Sequence, residues 1–288
     1  MDLLVHGGAG SAPDDPHARQ TVLDAAAAVG VDCERPVAAV TAAVRRLEAD
    51  PQFNAGVGSA VQSDGVIRTD AGLMTSDGSA GAAGAMAGVK HAIDVARVVK
   101  RETPHVLVVG EPAVSLADSA DIETACDLWT ERTRERWRAA DPPDDDSPDA
   151  HLSWAREHFG DGHDTVGAVA TDGRRLAAAT STGGRWFALA GRVGDVPQVG
   201  AGFYATPGAA VSTTGDGEAI LRFGLARRVA DAVADGESPQ HAADRVLRGF
   251  ATETGGGAGV IVIGADGQTG TAYNTDAMQT AKLAREDT

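Results

Sequence analysis

The stretch Gly162-His163-Asp164-Thr165-Val166-Gly167-Ala168-Val169-Ala170 places a threonine at the start of an apolar run, directly after a polar segment. The apolar run predicts a buried β-strand that begins at about Val166. If the bond between Asp164 and Thr165 were cut, Thr165 would carry a free α-amine with a reference pKa near ~8. That amine could activate the neighbouring hydroxyl as a nucleophile. A threonine that opens a buried strand is also a common structural feature, so this stretch alone supports both interpretations.

Eight further motifs of glycine and polar residues surround this stretch. The upstream motifs are His6-Gly7-Gly8-Ala9-Gly10, Phe53-Asn54-Ala55-Gly56-Val57-Gly58 and Pro104-His105-Val106-Leu107-Val108-Val109-Gly110-Glu111. The downstream motifs are Ala177-Ala178-Ala179-Thr180-Ser181-Thr182-Gly183-Gly184, Gly191-Arg192-Val193-Gly194-Asp195, Gly200-Ala201-Gly202, Ser212-Thr213-Thr214-Gly215-Asp216-Gly217-Glu218 and Tyr273-Asn274-Thr275-Asp276. In this order they resemble the plant-type L-asparaginase and isoaspartyl aminopeptidase family of N-terminal nucleophile hydrolases. The resemblance extends from about His6 to about Met278.

Apolar periodicity predicts a mixed α/β (α+β) fold, because helical segments and hairpin-like strand pairs follow one another irregularly. Predicted helices cover about 36–48, a segment that ends before Pro104, about 121–138, and a segment just after Gly217. Predicted strands include a buried strand at 106–109 and the pairs 166–169 with 176–179 and 260–263 with 270–273. The resemblance implies one domain over residues 1–288, built as a four-layer αββα sandwich with two central antiparallel sheets.

The segment Asp141-Pro142-Pro143-Asp144-Asp145-Asp146-Ser147-Pro148-Asp149 is rich in proline and aspartate. Such a composition cannot bury much apolar area, which predicts a flexible acidic linker over about 139–163. The resemblance implies that the chain cuts itself between Asp164 and Thr165. An α subunit of residues 1–164 and a β subunit of residues 165–288 would then assemble as an (αβ)₂ oligomer.

The resemblance also assigns the catalytic residues. Thr165 would attack the side-chain amide of L-asparagine, or the isopeptide bond of a β-aspartyl dipeptide, and its α-amine would carry the proton. Thr182 matches a threonine whose hydroxyl contacts the nucleophile. Thr214 and Gly215 match the oxyanion-hole segment, which lies just before a predicted helix whose N-terminal N–H groups favour negative charge.

Substrate recognition is implied for a second group of residues. A guanidinium such as that of Arg192 can hold an α-carboxylate through paired hydrogen bonds, and Asp195 can pair with the α-ammonium. The implied substrate-binding set is Asn54, Arg192, Val193, Gly194, Asp195, Thr214, Gly215, Asp216 and Gly217.

No cofactor is expected for catalysis, and the histidines lack zinc-ligand spacing. The loop after the predicted helix at 36–48 resembles the family's sodium-binding loop, in which backbone carbonyls surround a structural Na⁺ ion. Its implied ligands are the carbonyls of Leu47, Glu48, Asp50, Phe53, Ala55 and Val57. Carbonyl oxygens suit such hard cations.

The formal net charge is −16, and lysine occurs only at 90, 100 and 282. A chain of this charge lacks the basic surface that nucleic acid requires, and its self-repulsion suits a saline, halophilic cytoplasm. No apolar run is long enough to span a membrane, and the N-terminus shows no signal-peptide pattern. Only Cys33 and Cys126 are present, which fits a reducing cytoplasm. The expected partner is a small-molecule substrate.

Two alternatives remain open from the sequence. His163-Asp164-Thr165 also resembles glycosylasparaginase, which cleaves sugar-linked asparagine, and hydrolysis of the two substrate types would separate these activities. The second alternative is an uncleaved, non-enzymatic relative that binds an acidic amino acid through Arg192 and Asp195. A single intact band without activity would indicate this second protein.

Overall fold

The computed structural model describes residues 1–143, 147–159 and 164–285. Its helices are α1 (Pro16–Val31), α2 (Pro36–Glu48), α3 (Ala92–Glu102), α4 (Glu111–Ser119), α5 (Glu131–Ala139), α6 (Pro148–His158), α7 (Gly217–Phe223), α8 (Leu225–Ala234) and α9 (Pro239–Thr254). Its strands are β1 (Asp2–Gly10), β2 (Arg68–Thr75), β3 (Ala80–Ala87), β4 (Leu107–Val109), β5 (Val166–Thr171), β6 (Leu176–Thr182), β7 (Phe203–Ala205), β8 (Ala209–Gly215), β9 (Ala258–Gly264), β10 (Thr269–Tyr273) and β11 (Ala277–Ala284).

The strands form two sheets, and the predicted αββα sandwich is confirmed. A seven-stranded sheet has the order β11-β1-β5-β6-β2-β3-β4, and a four-stranded sheet has the order β10-β9-β8-β7. Helices α1, α2 and α3 cover one face of the larger sheet, where Leu23 is fully buried. Val169 and Ile261 belong to the apolar core between the two sheets. Helices α8 and α9 cover the far face of the smaller sheet with Val229 and Phe250.

This arrangement places Thr165 inside the molecule. Thr165 immediately precedes β5, an interior strand that pairs antiparallel with β1 on one side and with β6 on the other. All six residues of β5 are buried, as its apolar sequence predicts. Strand β8 of the second sheet packs against β5 and β6 and brings Thr214 to the same end. Thr165 and the start of β5 therefore lie against the second sheet.

The predicted linker over 139–163 is wrong for the described part of that segment. Residues 147–159 contain α6, which begins with Pro148 at its first position after the capping residue Ser147. Trp154 of α6 is buried and packs edge-on against Trp137, with ring centroids 5.5 Å apart. An acidic, proline-containing sequence thus starts a helix instead of preventing one, because proline suits the first helical turn. The remaining predicted linker residues at 144–146 and 160–163, including His163, lie outside the described residues.

Other segments also differ from the sequence-based predictions. The strand predicted as buried at 106–109 is the edge strand β4, whose Leu107 and Val109 are 42% and 46% exposed. It pairs parallel with β3, whereas the other strand pairs are antiparallel in the residues described. The helix predicted at 121–138 is present only as α5, after an irregular segment. Strand β11 was not predicted, and it forms the other edge of the larger sheet beside β1.

Candidate active site

Three threonine hydroxyls meet at the start of β5. Thr165 is 4% exposed, and its Oγ1 donates to Oγ1 of Thr182, the last residue of β6, at 3.3 Å. Thr182 Oγ1 in turn donates to the carbonyl oxygen of Asp164 at 3.4 Å and accepts the N–H of Gly184 at 3.0 Å. These hydroxyl contacts are long, as catalytic hydrogen bonds often are without substrate. They connect the predicted nucleophile to the carbonyl of the bond that would be cut.

Thr214 lies at the backbone nitrogen of Thr165. Its Oγ1 accepts the N–H of Thr165 at 3.4 Å and the N–H of Ala9 at 3.2 Å. That nitrogen is an amide in the intact chain and would be the free α-amine after cleavage. Gly215 follows as the last residue of β8, and α7 begins at Gly217, as predicted, although the predicted single helix is divided into α7 and α8 at Gly224. Thr214 and Gly215 therefore lie where strand and helix meet, beside the predicted nucleophile.

A small pocket opens from Thr165 toward Arg192 and Asp195, which together form the predicted clamp for the charged head group of the substrate. Its walls are Thr165, Thr182, Gly184, Arg185, Arg192, Asp195, Gly215 and Gly217. A Cβ atom on Gly217 would lie 2.6 Å from Asp195 Oδ1 and 2.8 Å from Arg192 Nη2. The backbone at this position must therefore come close to both charged groups, and only glycine leaves room between them. The structure brings the predicted cation and anion of the clamp together over one glycine.

The clamp carboxylate is buried and incompletely bonded. Asp195 is 5% exposed, and its Oδ2 has no hydrogen-bond partner among the described residues. Burial raises the pKa of Asp195 to about 7, against the opposing attraction of Arg192. A buried acceptor without a partner is costly, so the site is suited to a ligand that brings a donor, such as an ammonium group.

Arg192 is already paired in the described structure. Its Nε–H donates to Glu218 Oε1 at 2.8 Å, and its Nη2 lies 2.8 Å from the same oxygen without a well-oriented hydrogen bond. Burial alone would raise the pKa of Glu218, but Arg192 attracts the carboxylate strongly enough to hold that pKa below its usual value. Glu218 thus pairs with the guanidinium that the sequence predicts to hold a substrate carboxylate. Glu218 ends the motif that begins at Ser212, but no local sequence signal assigns it a role.

The loop at 191–195, which carries Arg192 and Asp195 and is called the clamp loop below, is held by Gln62. No sequence motif pointed to this residue. Gln62, 4% exposed, accepts the N–H of Gly191 at 2.8 Å and donates to the carbonyl of Arg192 at 3.0 Å. Arg68 also donates to the Gln62 oxygen at 2.9 Å, and Asp64 holds Arg68 through an ion pair at 2.8 Å. No local sequence signal marks Gln62, because Gly191 and Arg192 lie about 130 residues away in the chain.

A second buried carboxylate supports the clamp loop from β2. Asp70 is 3% exposed and accepts the N–H of Ala85 at 2.7 Å, and the N–H of Gly194 also faces it. Burial raises the pKa of Asp70 to about 6, opposed by these hydrogen bonds and by Arg192. Gly194 lies next to Asp195, so Asp70 supports the loop that carries Asp195, and its charge adds to the effect of burial in raising the pKa of Asp195. Val193, also in the predicted set, lies near β3 beside Gly84.

The remaining predicted substrate-binding residues lie around the pocket. Asn54 uses both ends of its amide on the protein: Nδ2 donates to the carbonyl of Gly184 at 2.6 Å, and Oδ1 accepts the N–H of Ala60 at 2.7 Å. Asn54 therefore braces the loop after Thr182. Asp216 pairs with Arg185 at 3.2 Å, and that arginine also lies over the ring of Phe159 at the end of α6, 4.1 Å from its centroid. Through this contact α6 reaches the wall of the pocket.

Behind the nucleophile, a buried histidine joins the two sheets. His6 Nε2 lies 2.8 Å from Ser212 Oγ, and that hydroxyl lies 2.9 Å from Thr180 Oγ1. Burial lowers the pKa of His6 to about 3, and the nearby backbone of Thr165 opposes this shift only in part. The ring is therefore neutral at ordinary pH and serves as a hydrogen-bonding link beside Thr165.

The loop predicted to hold sodium follows α2 closely. Among its six predicted ligands, the carbonyls of Leu47, Glu48 and Asp50 accept N–H groups of Asp50, Val57 and Phe53 at 3.1, 3.0 and 3.3 Å. A carbonyl has two lone pairs, so the carbonyls of Glu48 and Asp50 remain able to bind a cation, whereas that of Leu47 also accepts the N–H of Ala49. The Glu48 side chain is fully buried, and it accepts the hydroxyl of Ser181 at 2.6 Å, which ties this loop to β6 beside Thr182. In the described ranges, no three or more His, Cys, Asp or Glu residues are grouped to hold a metal ion.

Comparisons with known proteins agree with this geometry. A family model described as asparaginase matches residues 1–288. The chain is 40% identical to the plant-type L-asparaginase of Pyrobaculum calidifontis, over 96% of this chain and 94% of that protein. It is 37% identical to the plant-type L-asparaginase of Pyrococcus abyssi, over 97% of this chain and 95% of that protein. It is also 37% identical to the isoaspartyl peptidase/L-asparaginase of Bos taurus, over 96% of this chain and 91% of that protein.

Proposed function

Because this chain belongs to the asparaginase family, we propose that it is an amidohydrolase with a threonine nucleophile. It hydrolyses L-asparagine to L-aspartate and ammonia and cleaves β-aspartyl dipeptides. The observation that carries this proposal is the meeting, in one pocket, of the Thr165 and Thr182 hydroxyls with Arg192 and Asp195. A nucleophile and a clamp for an amino-acid head group are thereby brought within reach of one small substrate.

Maturation comes first in this account. The Thr165 hydroxyl attacks the carbonyl carbon of Asp164, and a C–O bond forms while the Asp164–Thr165 C–N bond breaks. The hydroxyl proton passes to the departing nitrogen, so the products are an ester and the free α-amine of Thr165. One water molecule then hydrolyses the ester and leaves the Asp164 carboxylate and the Thr165 hydroxyl. The contact of Thr182 Oγ1 with the Asp164 carbonyl oxygen, at 3.4 Å, would stabilise the negative charge that develops there.

Hydrolysis then uses the same groups in a new role. The α-amine of Thr165, held by Thr214 Oγ1, accepts the proton of the Thr165 hydroxyl as that hydroxyl attacks the side-chain carbonyl of the substrate. The amine then donates the proton to the leaving ammonia or amino acid. Water releases aspartate from the covalent ester. Gly215, on the pocket wall, would present its backbone to the oxyanion of each tetrahedral intermediate.

Recognition of the head group follows from the charges of the pocket. The substrate α-carboxylate would displace Glu218 from Arg192, and the α-ammonium would donate to the unpartnered Oδ2 of Asp195. Gly217 would contribute a backbone contact between the two. A side chain that ends in an amide then points toward Thr165. Asparagine and β-aspartyl dipeptides share this head group and differ only in the leaving amine.

A substrate panel tests the proposal. Purified protein should release aspartate from L-asparagine and from a β-aspartyl dipeptide, and Thr165→Ala protein should release none. An α-aspartyl dipeptide of the same composition is the matched control, because its peptide bond is out of reach of Thr165 when the head group is bound. Selective cleavage of glycosyl-asparagine would indicate the glycosylasparaginase activity instead. No activity on any of these, from an uncleaved chain, would indicate a binding protein.

The proposal extends to the assembled protein. The mature form is an (αβ)₂ oligomer in the cytoplasm, without a catalytic cofactor and with a structural Na⁺ at the loop after α2. The free thiols of Cys33 and Cys126 fit a reducing compartment. None of the helices in the described ranges is long and apolar enough to cross a bilayer. Elemental analysis of dialysed protein for sodium, and its molar mass in solution, test the sodium site and the oligomer.

A further inference from the structure

Arg19 links helix α1 to the residue just before the predicted cleavage point. Its side chain is only 10% exposed, and its guanidinium lies over the ring of Phe53, 4.8 Å from the centroid. Nη2 of Arg19 donates both to the carbonyl of Gly7 and to Oδ2 of Asp164, the latter at 3.2 Å. The arginine is thus fixed by the N-terminal strand and by an aromatic ring, and it presents its charge to Asp164.

Asp164 is held on both sides of its carbonyl carbon. Its side chain is bound by Arg19, and its carbonyl oxygen receives the hydroxyl of Thr182 at 3.4 Å. Its Cα lies against Gly8, where an added Cβ would come within 3.0 Å of that atom. Gly8 has φ of +112°, a conformation that other residues rarely adopt. The approach of the backbone to Asp164 therefore requires glycine at this position.

We propose that Arg19 is a positioning residue for maturation, acting through the Asp164 carboxylate to hold the scissile carbonyl in reach of the Thr165 hydroxyl. This inference rests on the proposed self-cleavage. Attack by the hydroxyl places negative charge on the carbonyl oxygen of Asp164, next to the carboxylate of the same residue. Arg19 offsets that repulsion and restricts rotation of Asp164. Misplacement of a reacting group by about 1 Å can cost on the order of 100-fold in rate.

Arg19 does not line the pocket that contains Thr165 and the clamp. The pocket walls that include Thr165, Arg192 and Asp195 do not include Arg19, which instead lines a separate groove with Asp164. Arg19 should therefore matter for the single cleavage of each chain and not for turnover afterwards. This separation gives a readout that a general loss of stability would not produce.

The experiment follows intact mass over time in freshly synthesised chains of wild type, Arg19→Leu, Asp164→Asn and the double variant. We expect cleavage of Arg19→Leu to be slower by about 100-fold, and Asp164→Asn to be slowed as well. Because Arg19 acts through Asp164, adding Arg19→Leu to Asp164→Asn should slow cleavage little further. Arg19→Lys keeps the positive charge and should recover part of the rate. Once cleaved, Arg19→Leu should show the wild-type kcat per free Thr165 amine on a β-aspartyl dipeptide.

Several results would overturn this role. Arg19→Leu chains that mature at the wild-type rate would refute it, as would an equal slowing by Arg19→Leu in the Asp164→Asn background. A reduced kcat per cleaved site would place Arg19 in turnover instead. If Arg19→Leu does not fold, Arg19→Lys and Asp164→Asn give the same comparison, since Asp164 is partly exposed. A wild-type chain that stays intact would refute the proposed self-cleavage itself, whereas a maturing wild type beside an unaffected Arg19→Leu refutes only the role of Arg19.

Discussion

Arg192 and Glu218 form a hydrogen-bonded ion pair at the pocket, with Nε of the arginine 2.8 Å from Oε1 of the glutamate. Glu218 is the second residue of α7, two residues after Asp216. The guanidinium proposed to hold the substrate's α-carboxylate is therefore neutralised before substrate arrives. A substrate must exchange one carboxylate for another, which keeps Arg192 oriented but reduces the net gain in binding free energy.

Arg192→Leu should weaken substrate binding more than it slows chemistry. The α-carboxylate is bound in both ground and transition states, so its loss should raise KM more than it lowers kcat. We expect kcat/KM to fall by the equivalent of about 2–3 kcal/mol of binding free energy. This is near the lower end of the cost of truncating a charge pair, because Glu218 already competes for Arg192. Steady-state kinetics on a β-aspartyl dipeptide measures both constants.

Arg175→Leu is the matched control for this variant. Arg175 is half-exposed and pairs with Asp172 in the turn between β5 and β6. Its loss should leave KM unchanged, because Arg175 does not line the pocket. It should also cost little stability, since exposed ion pairs contribute little to the free energy of unfolding. A cleaved Arg192→Leu enzyme with unchanged kcat/KM would show that the clamp lies elsewhere.

The buried Asp195 carboxyl should make the folded state less stable as pH rises. Its pKa is raised from 3.8 to about 7, so between these values the folded protein keeps a proton that the unfolded chain loses. The free energy of unfolding therefore falls through this interval, and the penalty is complete above about pH 7. Asp195→Asn should melt at a higher temperature than wild type at pH 8. Its free energy of unfolding should be larger by up to about a few kcal/mol.

The difference in melting temperature should shrink as the pH falls from 7 toward 4, and it should disappear below the unfolded pKa of 3.8, where Asp195 of the wild type is protonated in both states. The same variant should lose activity, because an amide cannot pair as an anion with the substrate's α-ammonium. Melting curves of both proteins across this pH range provide the check. A wild-type advantage at high pH would mean that the ionised Asp195 is favourably paired in the free enzyme.

Gln62→Leu should weaken substrate binding by the clamp, although Gln62 does not line the pocket. Leucine removes the two hydrogen bonds that Gln62 makes to the backbone of Gly191 and Arg192. Two unsatisfied backbone groups at about 1–3 kcal/mol each would loosen the loop, so KM should rise several-fold with a smaller change in kcat. Gln268→Leu, in the exposed turn between β9 and β10, is the control. Equal KM values for the two variants would exclude a positioning role for Gln62.

High salt should stabilise the protein. The formal net charge of −16 leaves strong repulsion on the folded surface, and salt screens exposed charges over distances of about a Debye length. We expect the melting temperature to rise steeply between low and molar KCl. A flat profile over this range would contradict a saline environment and leave the enzymatic proposal unaffected.

Local sequence signals predicted the parts of the fold that depend on near neighbours. The apolar run after Thr165 is strand β5, and the periodicity at 36–48 is helix α2, because burial on one face or both imposes those patterns. The same reasoning failed for α6, because the high content of aspartate and proline in this segment was interpreted as a linker. The shorter pattern Ser147-Pro148-Asp149 within it was not recognised. That pattern is a helix start, with a capping serine, a proline in the first turn and an acidic residue beside it.

The candidate site shows a similar division. Motifs brought attention to Thr165, Thr182, Arg192 and Asp195, and the structure brings these four side chains to one pocket. Glu218, Gln62 and Arg19 could not be found in this way. Their partners are fixed by tertiary packing across 26 to 145 residues of chain, and nothing in the local sequence distinguishes them from surface polar residues.

The intact mass of purified wild-type and Thr165→Ala protein, with the N-terminal residue of any smaller fragment, tests the central proposal most directly. We predict that the wild type divides into residues 1–164 and 165–288, with Thr165 at the new N-terminus, and hydrolyses a β-aspartyl dipeptide. The Thr165→Ala chain should remain whole and inactive. A Thr165→Ala chain that is cut at the same bond and still hydrolyses the dipeptide would contradict the assignment of Thr165 as the nucleophile.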